Sequence, residues 1–124
     1  MNDILFKNES YKIIGICMEV HKLLGKGFLE IVYKDALEYE FAINNIPYER
    51  EKEFAIQYKS KILPHKYYAD FVLYNNIILE VKAVNGIIDE FIKQTLNYLA
   101  VSKCKLGLIV NFGEESLKYK RVVL

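Results

Sequence analysis

Two short apolar stretches, Ala69-Asp70-Phe71-Val72-Leu73-Tyr74 and Ile77-Ile78-Leu79-Glu80-Val81-Lys82, flank Asn75-Asn76 and read as neighbouring strands of an antiparallel hairpin. Three charges, Asp70, Glu80 and Lys82, interrupt them. Burying a charge is unfavourable unless it is paired or bound to a metal, so these strands demand an ion pair or a cation site. Strand residues two apart face the same side, which groups Glu80 with Lys82 beside a wall of Ile77, Leu79 and Val81. An ion pair on a solvated edge strand is the plainer reading, and such pairs are weak. The functional reading is a metal site with an adjacent lysine.

Hairpin register decides whether Asp70 joins that site. A turn on Asn75-Asn76 alone sets Asp70 opposite Val81 and turns it away from Glu80, because directly paired residues share a face. The site therefore requires an odd-length connection, such as three residues, or a bulge between Asp70 and Glu80.

Around the hairpin, Ile13, Ile16, Cys17, Val20, Leu23 and Leu24 recur at helical spacing and predict a helix from about Ser10 to Leu24, stopped by Gly25. A second helix is expected from about Leu29 to Asn44, with Val32, Tyr33, Ala36, Leu37 and Phe41 inward and Asn45-Ile46-Pro47 ending it. Tyr48 to Tyr58 reads as a strand, Lys59-Ser60 as a turn, and Lys66 to Tyr74 and Ile77 to Val84 as two more strands. Ile88, Phe91, Ile92, Thr95 and Leu99 mark a third helix, Lys105 to Asn111 a central strand, and Lys118 to Leu124 a last one. The order helix-helix-three-strand meander-helix-strand predicts an α/β chain, more narrowly an α+β mixed sheet, with a right-handed crossover through the third helix.

No repeat, low-complexity tract or linker divides residues 1–124, so a single domain is expected. A net charge of +1 gives no broad basic field, so a polyanion would need a local patch. Lys59, Lys61, His65 and Lys66 form one candidate, and Lys118, Lys120 and Arg121 another; each also reads as an ordinary solvated face. Cys17 and Cys104 lack metal-ligand spacing and read as reduced packing residues. Met1-Asn2-Asp3-Ile4-Leu5-Phe6 has no basic start leading into a long apolar stretch, and no run is long enough to cross a bilayer, so a soluble, cytoplasmic protein without membrane partners is expected. There is no nucleophile elbow, P-loop, dinucleotide fingerprint or zinc-spaced Cys/His set.

An aspartate followed ten residues later by Glu80-Val81-Lys82, at the ends of adjacent strands, resembles the PD-(D/E)xK nuclease superfamily in motif and in element order. More narrowly, Gly27-Phe28-Leu29-Glu30-Ile31-Val32-Tyr33 resembles the G-x-x-E-x-x-Y signature of a small bacterial and archaeal family assigned to that superfamily. Ala69-Asp70-Phe71 and Asn111-Phe112-Gly113 add to the likeness, which runs from about Val20-His21 to Lys120-Arg121; Ala69 stands where the superfamily's proline would be. The resemblance implies a restriction-endonuclease-like core and a divalent-metal-dependent nuclease acting on DNA. It implies Asp70 and Glu80 as metal ligands, the Val81 carbonyl as another, and Glu30 acting directly or through water. All-oxygen ligands favour Mg²⁺ or Mn²⁺. Lys82 would orient or deprotonate the attacking water, or hold the scissile phosphate.

Gln94-Thr95-Leu96-Asn97-Tyr98 resembles the Q-x-x-x-Y element of RecB-type nuclease domains, and a spacing of four puts Gln94 and Tyr98 on one helix face. They would contact DNA phosphate or position Lys82; the plainer reading packs Tyr98 at the helix-sheet seam. RecB-type sites can include a helical histidine, which makes His21 a candidate beside its reading as a satisfied core residue. Tyr33, one turn after Glu30, would brace that carboxylate, and Gly27 would permit the tight entry into the helix. Gly25-Lys26-Gly27 could cradle a phosphate or serve only as a turn. Two other readings stand beside the nuclease: a nuclease-fold module that binds nucleic acid or protein with little or no catalysis, and an oligomer, such as a homodimer, joined through a tyrosine-rich face.

Overall fold

A computed structural model describes residues 4–124. Of the amino-terminal residues considered above, Met1, Asn2 and Asp3 lie outside the described residues. Three helices, α1 (Lys7–Leu24), α2 (Glu30–Ile43) and α3 (Asp89–Ser102), pack on a sheet of β1 (Tyr48–Tyr58), β2 (Lys61–Leu73), β3 (Ile77–Lys82), β4 (Leu106–Asn111) and β5 (Lys118–Val122). Strand order follows chain order, with β3 and β4 parallel and the other neighbours antiparallel. This is the expected α+β mixed sheet, with α3 bridging the parallel pair.

Two apolar layers sandwich the sheet. Ile13, Cys17, Tyr33, Leu37 and Phe41 of α1 and α2 pack on Phe71, Leu79, Val81 and Phe112. On the opposite face Leu99 of α3 packs with Tyr67, Ala69, Ile78 and Ile109. All of β3 up to Val81 and all of β4 are buried, as expected for strands covered on both faces. The stripe of α1 is rotated from its expected phase: Ile14 and His21 are buried, whereas Leu23 is 72% exposed. Both cysteines are free and buried.

Gly25 and Gly27, at φ of 71° and 111°, form the α1–α2 turn, and the positive φ of Gly27, three residues before Glu30 opens α2, suits the tight helix entry expected of it. Asn111 is fully buried and clamps the segment after β3: its Oδ1 accepts from the Val84 and Gly113 amides, and its Nδ2 donates to the Val84 carbonyl. A Cβ on Gly113 would lie 2.2 Å from the Val84 carbonyl oxygen and 2.4 Å from its nitrogen. Asn111-Phe112-Gly113 thus fixes the chain just beyond Lys82 by a backbone contact that only glycine permits. Gly113→Ala is expected to destabilise the fold by roughly 3 kcal/mol in urea unfolding, while Gly86→Ala, where a Cβ meets nothing within 4 Å, changes it little.

Candidate active site at the opening between β2 and β3

The hairpin connection has three residues: Leu73 pairs with Ile77, Val72 with Ile78 and Phe71 with Leu79. That is the odd-length connection the sequence required, and continuing its register brings Asp70 opposite Glu80. Pairing with β2 stops at Leu79, yet β3 stays paired with β4 through Lys82. Where the ladder ends, side chains replace it. The Asp70 amide donates to Glu80 Oε2 at 3.0 Å, and the Val81 amide donates to Asp70 Oδ2 at 2.8 Å. Each carboxylate satisfies an amide that the parting strands would otherwise leave buried and unpaired.

The side-chain alternation of β2 reverses at this point. Ala69 packs in the α3-side layer and Phe71 in the α1/α2-side layer, although residues two apart in a regular strand share a face. Across from Asp70 stands Glu51, between the pairs Arg50–Phe71 and Lys52–Ala69, and its backbone is left-handed at φ 53°. A non-glycine residue there within a strand is strained, and such strain gathers at functional sites.

Four carboxylates and two ammonium groups form the electrostatic neighbourhood. Glu80 is 7% exposed, and burial first, then the Asp70 charge, pushes its carboxyl up to about 8 against the opposing Asp70 amide, Lys82 and Tyr67. Glu30, on the first turn of α2, is also raised, by partial desolvation and then Asp70, while Lys82 and Lys34 pull it back. Lys34 is one turn beyond Glu30 on the same helix face. Its ammonium lies 3.0 Å from Asp70 Oδ1 and also pairs with Glu51. Burial pulls Lys34 downward, but those two carboxylates outweigh it and hold the ammonium above its ordinary value. Lys82 instead sits 4.6 Å over the Phe91 ring, and forms no ion pair among the described residues.

Tyr98 of α3 stacks on Tyr67 at 3.7 Å and 11°, and the Tyr67 hydroxyl reaches Glu80 Oε2 at 3.4 Å. Burial and the Glu80 charge keep the Tyr67 phenol far above its usual range, so it remains a donor. Tyr98 is therefore packed at the seam between helix and sheet, close enough for the Glu80 and Asp70 charges to raise its phenol after desolvation does. Gln94, one turn earlier, is exposed.

Two expected site residues serve the scaffold. The Tyr33 hydroxyl does not brace Glu30: it donates to the Gly25 carbonyl at 2.6 Å and accepts from the Phe28 amide at 3.3 Å, closing the α1–α2 turn. The His21 Nε2 bonds the Glu114 carbonyl at 2.9 Å, and its ring stacks on Phe112, so it ties α1 to the loop after β4 as a satisfied core residue. Of the basic patches, Lys59, Lys61 and His65 are exposed at the far end of the β1–β2 hairpin. Arg121, in contrast, is spent on Ser10 and the Leu5 carbonyl. In the Gly25-Lys26-Gly27 turn, Lys26 pairs with Glu115 at 2.6 Å.

Lys34 and Glu51 are the residues that sequence reasoning missed. The available signal was the Glu30–Lys34 spacing beside the buried Tyr33 and Leu37, which places the lysine at the border of an inward face.

The donor chemistry at the β2–β3 opening, carboxylate oxygens with net negative charge, suits a hard divalent cation. Among the described residues no three Asp, Glu, His or Cys side chains are grouped so as to hold one, and Lys34 lies on one Asp70 oxygen. In a chelated buffer, the raised Glu80 carboxyl favours folding only while protonated. Stability from this group is therefore present below the ordinary carboxylate value near 4.5 and is lost as pH rises toward about 8. Glu80→Gln, whose amide oxygen still accepts from Asp70, is expected to flatten that dependence and stabilise the metal-free protein at pH 8 by roughly 2 kcal/mol in urea unfolding.

A sequence model of the PD-(D/E)XK nuclease superfamily matches residues 7–122. No curated protein matches the chain. Among solved structures, the crystal structure of SSO0001 superimposes with a TM-score of 0.62 at 18% identity, over 95% of this chain and 59% of that one. The chain thus spans less than two thirds of that protein, and the likeness establishes a shared fold.

Proposed function

The chain belongs to the PD-(D/E)XK nuclease superfamily, and on that premise we propose that it is a divalent-metal-dependent nuclease hydrolysing DNA phosphodiester bonds. The observation that carries this reading is that the Asp70 and Glu80 carboxylates each accept an amide from across the parted strands, Val81 and Asp70 respectively, with Lys82 two residues beyond Glu80. Nucleases of this superfamily generally use divalent metals; here Asp70 and Glu80 would hold Mg²⁺ or Mn²⁺, with the Val81 carbonyl and Glu30 as further donors. When bound, such a cation would supply Lewis acidity at a phosphoryl oxygen and a lowered pKa for neighbouring water.

The chain's own residues supply the rest. Lys82, resting on Phe91 and in no ion pair among the described residues, is available to hold the scissile phosphate or orient the attacking water. Glu80, braced by Tyr67 and the Asp70 amide, keeps its orientation as charge develops. Gln94 and Tyr98 lie on one face of α3, where Gln94 can reach a phosphate and Tyr98 backs the Tyr67–Glu80 contact. The narrower assignment to the GxxExxY family is supported by distinct roles for its three residues: Gly27 makes the turn, Tyr33 locks it, and Glu30 borders the acidic site.

Purified protein is expected to cleave DNA with Mg²⁺ or Mn²⁺, and Lys82→Ala to lose at least about a hundredfold in rate while its circular dichroism is unchanged. Cleavage persisting in that variant would place the activity elsewhere.

A second reading, a catalytically weak or inactive module that binds nucleic acid or a protein partner, is favoured by one observation: the Lys34 ammonium lies on an Asp70 oxygen that a metal would need. Calorimetry separates the two. Mn²⁺ binding supports the nuclease; DNA binding with no Mn²⁺ binding supports the module.

A further inference from the structure

We propose that Lys34 is a positioning residue for Asp70, a resident counter-ion that a divalent cation must displace, with Glu51 as the carboxylate that retains the ammonium once Asp70 turns to the ion. This rests on the metal-dependent reading above and adds to it a residue outside the superfamily motif.

Three observations carry it. The Lys34 side chain is 10% exposed, so its charge cannot simply return to water when a cation arrives. It already bridges two acceptors: Asp70 Oδ1 at 3.0 Å and the Glu51 carboxylate. Glu51 is about half exposed and stands opposite Asp70 in β1 with a left-handed backbone, so Lys34 has a second carboxylate on a different strand from Asp70. The other oxygen of Asp70 is fixed by the Val81 amide, so Lys34 governs the oxygen with freedom to change partner. Releasing Asp70 costs the ammonium one of two partners and leaves it paired. Lys82 carries the same charge in the same neighbourhood but forms no ion pair among the described residues, which makes it the natural control.

The first test uses the unmodified protein labelled with ¹⁵N and titrated with Mg²⁺. The Lys34 ammonium signal is expected to move in step with the Val81 amide as Asp70 changes partner. A moving Val81 amide with an unmoved Lys34 overturns the proposal while sparing the metal site. If neither moves up to millimolar Mg²⁺, the metal-dependent reading fails and takes this proposal with it.

The second test is Mn²⁺ affinity by calorimetry. Lys34→Met is expected to bind at least about tenfold more tightly than the wild type, and Lys82→Met to gain distinctly less, because it lifts repulsion without freeing an Asp70 oxygen. Glu51→Gln is expected to weaken Mn²⁺ binding in the wild-type background and to have no effect in the Lys34→Met background, since Glu51 acts through the lysine. Equal gains for the two lysine variants, or an undiminished Glu51→Gln effect without Lys34, would show that only net charge matters and would overturn the proposal.

Discussion

The interaction on which the rest of the site depends is the exchange of main-chain for side-chain acceptors where β2 and β3 part. Beyond Leu79 the strands no longer pair, and a buried amide without an acceptor costs roughly 1–3 kcal/mol. Asp70 and Glu80 remove that cost by accepting from Val81 and Asp70 itself. The same two bonds concentrate negative charge in a gap bounded by α2 and α3. Structure and chemistry are therefore coupled: the carboxylates that complete the sheet also make it unstable toward charge, and Glu80 shows this by its upward shift.

The surrounding architecture makes the arrangement durable. β4 holds β3 in register through Lys82, and Asn111 with Gly113 pins the chain directly after it. Tyr67 and Tyr98 form a stacked pair that closes the α3 side. On the other side, α2 contributes Glu30 and Lys34 from one face, while Tyr33 anchors its start to the Gly25 turn. Charges of both signs thus meet on rigid elements of the fold.

Much of this was legible in the sequence because apolar periodicity and turn residues carry it. Strand β1 spans Tyr48–Tyr58 as its alternation indicates, the buried β4 follows from its unbroken apolar run, and the three-residue hairpin connection follows from requiring Asp70 and Glu80 to meet. The rest depends on departures from periodicity. Strict alternation cannot foresee the reversal of β2 at Asp70, nor the left-handed Glu51 that faces it. Lys34 resembles any solvated helix lysine until the sheet is placed against α2. Tyr33 and His21 are satisfied by carbonyls in distant or looping segments, partners that no local pattern announces, so their roles in the scaffold emerge only from the packed structure.

The central claim, that Asp70 and Glu80 form one cation site in the opening between two strands, is tested most directly by anomalous diffraction from crystals soaked in Mn²⁺. The account predicts a single strong anomalous peak coordinated by oxygens of both carboxylates. A well-diffracting crystal with Mn²⁺ bound only elsewhere, and with no peak between Asp70 and Glu80, would contradict it.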